Sequence, residues 1–313
     1  FDDGVVVYDN KTYLMGDLNA MAHVRKDTTS VTIKNKLLDV ELQSNTDPKS
    51  FSAALNHHLL SYFYNSKKSR DSMMNPVNLK LRAHVSQAPV LNEVFFVNMK
   101  DLDTINIAVD FNEKARELKA KITTPHINYS GYELDSLAFV MDTNKETFNF
   151  NLVFNNIKAG PINIQKTVFK GNQANNKMTL DFEAYHKKEK LIAIESEITG
   201  SPEQLRFHVL SNNLILNKKS WNTPNTNEIL ITKKKLVFND FNFSRNNQSI
   251  EVTDKSPSNT KDHIAINFKE FKLSDILSYL NPDKKLATGN LNGRFVIQEP
   301  FTNTGLVADL DIS

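Results

Sequence analysis

Phe148-Asn149-Phe150-Asn151-Leu152-Val153-Phe154 alternates apolar and polar residues almost without interruption. A period of two is the signature of a strand with one buried face and one wet face. The spacing predicts Phe148, Phe150, Leu152 and Phe154 on the apolar side, with Asn149 and Asn151 outside. The same text recurs along the chain. Its apolar positions include Ile105, Ile107, Val109 and Phe111, then Leu205, Phe207 and Val209, then Phe241 and Phe243, then Ile264, Ile266 and Phe268. Successive runs begin roughly 8 to 14 residues apart, which predicts a meandering all-β architecture. Two architectures satisfy the pattern, a packed sandwich or barrel core and a trough open along one side, because both put apolar side chains on one face.

The turns carry their own signal. The chain holds 38 Asn against 9 Gly. Asn is the non-glycine residue that best tolerates left-handed backbone angles. The pairs 155–156, 175–176, 212–213 and 246–247 each lie beside an alternating run, and hairpin turns are expected there.

Two stretches break the β text. Asp47-Pro48 predicts a helix start, with Asp as N-cap and Pro at the first helical position. Phe51, Leu55, Leu59, Tyr62 and Phe63 then fall on one helical face, with His58 near its edge and His57 off it, so an amphipathic helix is expected near 48–64. Its face lacks the basic stripe of a membrane-surface helix. A shorter helix is expected over Leu273–Leu280, with Ser274 as N-cap and Asn281-Pro282 as the stop. Leu91–Val97 reads as a strand.

The chain of 313 residues is 40% hydrophobic and 24% charged, with 38 basic and 36 acidic residues. Such a composition excludes a disordered chain, and the charge balance gives no nucleic-acid-binding field. No run approaches the roughly 20 apolar residues of a membrane-spanning helix. The absence of cysteine excludes a disulfide framework and a Cys-based metal site. The chain opens on Phe1 and closes in what reads as mid-strand at Leu310–Ser313, so a longer parent protein is expected.

Catalytic patterns are missing. The eight His are scattered without metal-ligand spacing, and no nucleophile elbow, phosphate loop or dinucleotide fingerprint occurs. The acidic pairs Asp101/Asp103 and Glu195/Glu197 sit at alternate strand positions, as solvent-facing carboxylates do. Trp221-Asn222-Thr223-Pro224-Asn225 reads as a lone aromatic capping a strand end before a turn. No catalytic residue, metal site or cofactor is expected.

Several stretches, taken in order, resemble the TamB family of translocation and assembly proteins and its AsmA-like relatives, in a Bacteroidetes-type form. They are the Trp and Pro-Asn turn followed by an apolar strand at Trp221–Ile231, and the strand pairs Val237–Phe243 and Asn247–Val252. Next come the strand running into a short helix at Phe268–Leu277, the Gly-x-Leu-x-Gly step at Gly289–Gly293, and the strand pair that follows it over Pro300–Leu310. The resemblance covers about 100 to 310. It implies an elongated, curled antiparallel sheet forming a half-pipe groove with an apolar interior, plus one or two short helices. Strands with the inserted helix would occupy 1–90, and a continuous groove 91–313. It further implies a non-enzymatic, periplasmic segment of an inner-membrane-anchored protein, with the anchor outside this stretch. Such a segment would conduct phospholipid toward the outer membrane, with an Omp85-type β-barrel of the TamA kind as partner. The sixteen apolar residues named above would line the groove. A chaperone-like scaffold for outer-membrane barrels is the second reading, and a β-solenoid that binds carbohydrate or acts as an adhesin is the third.

Overall fold

The structure, a computed structural model, describes residues 2–63, 75–87, 90–95, 99–159, 162–201, 203–233, 235–255, 262–280, 287–300 and 305–312. Residues 65–72, the polar loop expected after the first helix, lie wholly outside them, as does the expected stop at Asn281-Pro282. Among the described residues the protein is mostly antiparallel β-sheet with two short α-helices, and its sheets curl without closing into barrels. It forms two compact units, Phe1–Gly160 with Val168–Asn175, and Pro161–Thr167 with Asn176–Ser313.

The first unit contains β1 (Gly4–Tyr8), β2 (Lys11–Gly16), β3 (Asn19–Arg25), β4 (Thr28–Lys34), β5 (Leu38–Ser44), α1 (Pro48–Leu60), β6 (Asn78–Val85), β7 (Met99–Leu102), β8 (Ile105–Asn112), β9 (Glu117–Tyr129), β10 (Tyr132–Thr143) and β11 (Phe148–Ala159). β12 (Ile162–Ala174) is divided between the units. β1 and β2 form a separate hairpin. β3, β4, β5 and β6 pair in sequence. β8 then adds to β6, β9 to β8, β10 to β9 and β11 to β10.

The second unit contains β13 (Lys177–His186), β14 (Glu189–Ser201), β15 (Gln204–Val209), β16 (Ile215–Leu216), β17 (Lys219–Ser220), β18 (Glu228–Thr232), β19 (Leu236–Asn239), β20 (Asn242–Arg245), β21 (Gln248–Thr253), β22 (His263–Lys272), α2 (Leu273–Leu280), β23 (Asn290–Gln298) and β24 (Gly305–Ile312). One ladder runs β13-β14-β15-β18-β19. The other runs β20-β21-β22-β23-β24.

The turns follow the Asn text. Asn175, Asn176, Asn213 and Asn246 lie in turns with positive φ, whereas the turn expected at 155–156 is absent: Asn156, also at positive φ, sits inside β11 where the register against β10 shifts, so the pair makes an irregularity within the strand. Consecutive positive φ values at Asp9-Asn10, Asn175-Asn176, Lys187-Lys188 and Asn217-Lys218 match the twist of tight two-residue hairpins. Pro125 lies inside β9, whose alternating text reads as two runs, Leu118–Thr123 and His126–Tyr129. β9 changes partner there, from β8 up to Thr123 to β7 from Ile127, so the missing N–H is not needed by either ladder.

Three expectations are corrected. Leu91–Phe95 is a π-helical turn and not part of a strand, since Val90, Leu91 and Val94 at helical spacing pack with Leu37 beneath Val6, Tyr13 and Met15 of the first hairpin. Ser274 lies inside α2, which starts at Leu273. β22 leads straight into the helix, whose first amide, that of Leu273, is paired with the Gly289 carbonyl at 3.0 Å. Trp221 is a core residue: it is buried, stacks 5.6 Å from Phe271 and donates its indole N–H to the Leu216 carbonyl.

Candidate hydrocarbon-facing surface

α1 organises the first unit. Asp47 accepts from the amides of Lys49 and Ser50 at 3.0 and 3.1 Å and from the Ser50 hydroxyl at 2.6 Å. Those bonds, the Ser50 hydroxyl first, hold its carboxyl below the usual range. Ala54 and His58 form the buried stripe of the helix, and Tyr62 is buried just past its end. They press on a rung of residues lying side by side across the sheet: Thr29, Ser44, Leu79, Phe111, Leu118, Thr143 and Phe148. Every member of this rung is buried.

Polar links pin the helix end. His58 Nε2 lies 2.8 Å from Thr143 Oγ1, which accepts from the Leu118 amide at 2.8 Å. Burial, then the charges of Arg116 and His57, push the imidazole down to about 4. It is therefore neutral at pH 7 and shares one hydrogen bond with the Thr143 hydroxyl. The Tyr62 hydroxyl donates to the Asn144 carbonyl, Gln173 Nε2 donates to the Tyr62 carbonyl, and Arg116 donates to Ser61 Oγ at 3.0 Å. Burying these groups is tolerable because each finds a partner.

Beyond the covered rung the same face changes character. The second rung is Val31, Leu42, Leu81, Val109, Ala120, Met141 and Phe150. The third is Ile33, Val40, Ala83, Ile107, Ile122, Phe139 and Leu152. Both rungs carry no charge, and every member is only half-buried. The alternate residues on the opposite face carry the charges, as in the pairs Lys34–Asp39 at 2.8 Å and Arg82–Asp110 at 2.6 Å. Two surface hollows of about 810 and 560 Å³ are lined by such charged and polar residues together with Thr29, Ser44, Leu79 and Phe111 in the first and Ala83 and Ile107 in the second.

The expected lining residues divide by unit. In the first, Phe111 and Phe148 lie in the covered rung, Val109 and Phe150 in the second, and Ile107 and Leu152 in the third. Ile105 extends the same face opposite Val85, and Phe154 follows Leu152 by strict alternation; both are half-buried. Asn149 and Asn151 stand on the other face, opposite Asp142 and Val140. In the second unit, Val209 and Phe241 are buried in a core with Leu214, Trp221, Phe238, Phe271 and Leu291. Phe207, Phe243, Ile264 and Phe268 pack against that core, while Leu205 and Ile266 are half-buried at flanking positions. Both faces are covered along β22 and β23, since Ala265 and its cross-strand partner Val296 are 1% and 4% exposed on the side opposite Ile264 and Ile266.

The Gly-x-Leu-x-Gly step has a structural role. Leu291 enters the second core, and Asn290 and Asn292 donate to the Glu270 carboxylate at 3.1 and 3.4 Å. Glu270 sits at a bulge with φ 49°, and that bulge puts Phe268 and Phe271 on the same side. The acidic pairs lie in separate surroundings: Glu197 binds Lys177 at 2.7 Å, and Asp101 lies 4.0 Å from His126. Among the described residues no group of three or more His, Asp or Glu can hold a metal, and no helix is long and apolar enough to cross a membrane.

Sequence reasoning missed the sheet partners contributed by β4, β5, β6, β9 and β10. Ile122 and Phe139 were legible from alternation, but only the register makes them neighbours of Ile107. Compared with known proteins, this chain matches no protein-family model, no curated protein and no solved structure.

Proposed function

We propose that the protein is a non-enzymatic lipid-binding β-groove segment, with the first unit holding acyl chains on its apolar face. One observation carries this reading: two adjacent, uncharged rungs crossing seven strands remain half-buried next to a rung that is buried on the same seven strands, partly beneath α1. Burying hydrocarbon there gains on the order of 0.8 kcal/mol per methylene. A floor without polar anchors lets a chain slide instead of trapping it. The packed second core supports assigning acyl-chain binding to the first unit. The resemblance to TamB-like proteins extends the proposal to phospholipid conduction across the periplasm, between an inner-membrane anchor and an Omp85-type barrel partner. Mass spectrometry of gently purified protein is expected to find copurified phospholipid. Its absence, together with failure to bind a fluorescent acyl chain, would sink the reading.

A scaffold role for barrel proteins draws on β3, whose seven residues are all exposed. Such a strand offers a template for strand addition. Photo-crosslinkers at Met21 and His23 that capture unfolded barrel protein would favour it, and capture of lipid alone would count against it.

A further inference from the structure

We infer that α1 is one wall of the binding site, so that a single linear hydrocarbon chain lies along the helix and across the strands, with the sheet as floor. This inference rests on the reading above and adds the position, direction and boundary of the ligand. Phe51, Leu55 and Leu59 recur every four residues and form a second stripe on α1, beside the buried stripe of Ala54 and His58. They are half-buried. On the sheet, Leu42, Val109 and Met141 of the second rung are half-buried as well, and both sets pack against the same buried cluster. A buried seam with an apolar, partly open shoulder on each side describes the corner of a channel. α1 is 13 residues long, so that corner runs for about 20 Å.

Charge selects the occupant. The second and third rungs hold no ionisable or hydrogen-bonding side chain, and the ladders already use the backbone groups of these strands. An extended peptide laid there would lose hydration of its amides without gaining partners, a cost that an alkyl chain does not bear. The charged side chains stand on the opposite face, so the corner is electrically matched to an uncharged chain.

A tryptophan placed on each surface reads the position of a spin-labelled fatty acid directly. The native Trp221 is buried in the second core and supplies a constant reference. Leu55→Trp on the half-buried stripe, Ile107→Trp on the floor and Asn56→Trp on the exposed side of α1 are titrated with 12-doxyl-stearic acid. Saturable quenching of Leu55→Trp and Ile107→Trp, several-fold stronger than for Asn56→Trp, is the expected result. Quenching of Ile107→Trp with none at Leu55→Trp overturns the wall and leaves lipid binding standing, and no quenching at any site overturns both. Displacement of the probe by an amphipathic helical peptide but not by unlabelled stearic acid assigns the channel to a helix and also overturns the inference. Should Leu55→Trp lose the native urea midpoint, Leu59→Trp replaces it on the same stripe.

Discussion

His58 is the residue on which the docking of α1 turns. It is 4% exposed and bonded to Thr143, with its imidazole pushed down to about 4 from an ordinary 6.5. Between those values the unfolded chain binds a proton that the folded one does not, so stability falls as pH is lowered from about 6.5 to about 4. The loss across that window is about 3 kcal/mol. Urea unfolding at a series of pH values is expected to show it, and His58→Gln to flatten the profile. A second prediction concerns Lys188, exposed and held at φ 66° in a tight hairpin. Left-handed backbone costs a side-chain-bearing residue about 1 kcal/mol, so Lys188→Gly is expected to stabilise the protein by up to that amount. An unchanged or lower urea midpoint would refute it. Residue chemistry of this kind was partly legible: Asn176 and Asn246 could be placed at turns, whereas Asn156 falls inside a strand, and a Lys run marks a solvated turn without indicating left-handed backbone. His58 was visible near a helix edge, but its partner Thr143 lies 85 positions away.

α1 is the element that was clearest in the sequence, because Asp47 and Pro48 act locally. Its cap predicts that Asp47→Ala costs about 1 kcal/mol and frays the first turn, measurable by urea unfolding and by faster amide exchange at Lys49 and Ser50. The helix ends at Leu60, short of the expected residue 64, and Tyr62 is held in the following turn through Asn144, Gln173 and Arg116. Those contacts come from hairpin turns distant in the chain, which local periodicity does not report. The π-helical turn at Leu91–Phe95 escaped for a related reason. A run of five mostly apolar residues suits a short strand or a helical turn equally, and the hairpin β1–β2 packed above it settles the choice.

Across the whole molecule, apolar faces of similar sequence meet different fates. Ile107 and Phe207 both sit in alternating strands, yet Ile107 lies on the half-exposed floor and Phe207 packs against the second core. Ile107→Gln is therefore expected to reduce the phospholipid recovered per mole of protein severalfold with little loss of stability. Phe207→Leu is expected to leave lipid unchanged and to cost about 1 kcal/mol through lost packing. Equal lipid loss in both variants would contradict the assignment of binding to the first unit.

The sequence by itself determined the strand period, the antiparallel all-β class, the hairpin turns at 175–176 and 246–247 and the start of α1. Each is a local matter of backbone preference and side-chain alternation over a few residues. Only the tertiary structure decided which rung of the apolar face is sealed, which rungs stay open, and that Trp221 fills a core. Alternation states which side of a strand is apolar, and nothing more. Whether that side meets a helix, another sheet or free space depends on segments tens of residues away, and here one rung is buried beside α1 while the next two stay half-buried.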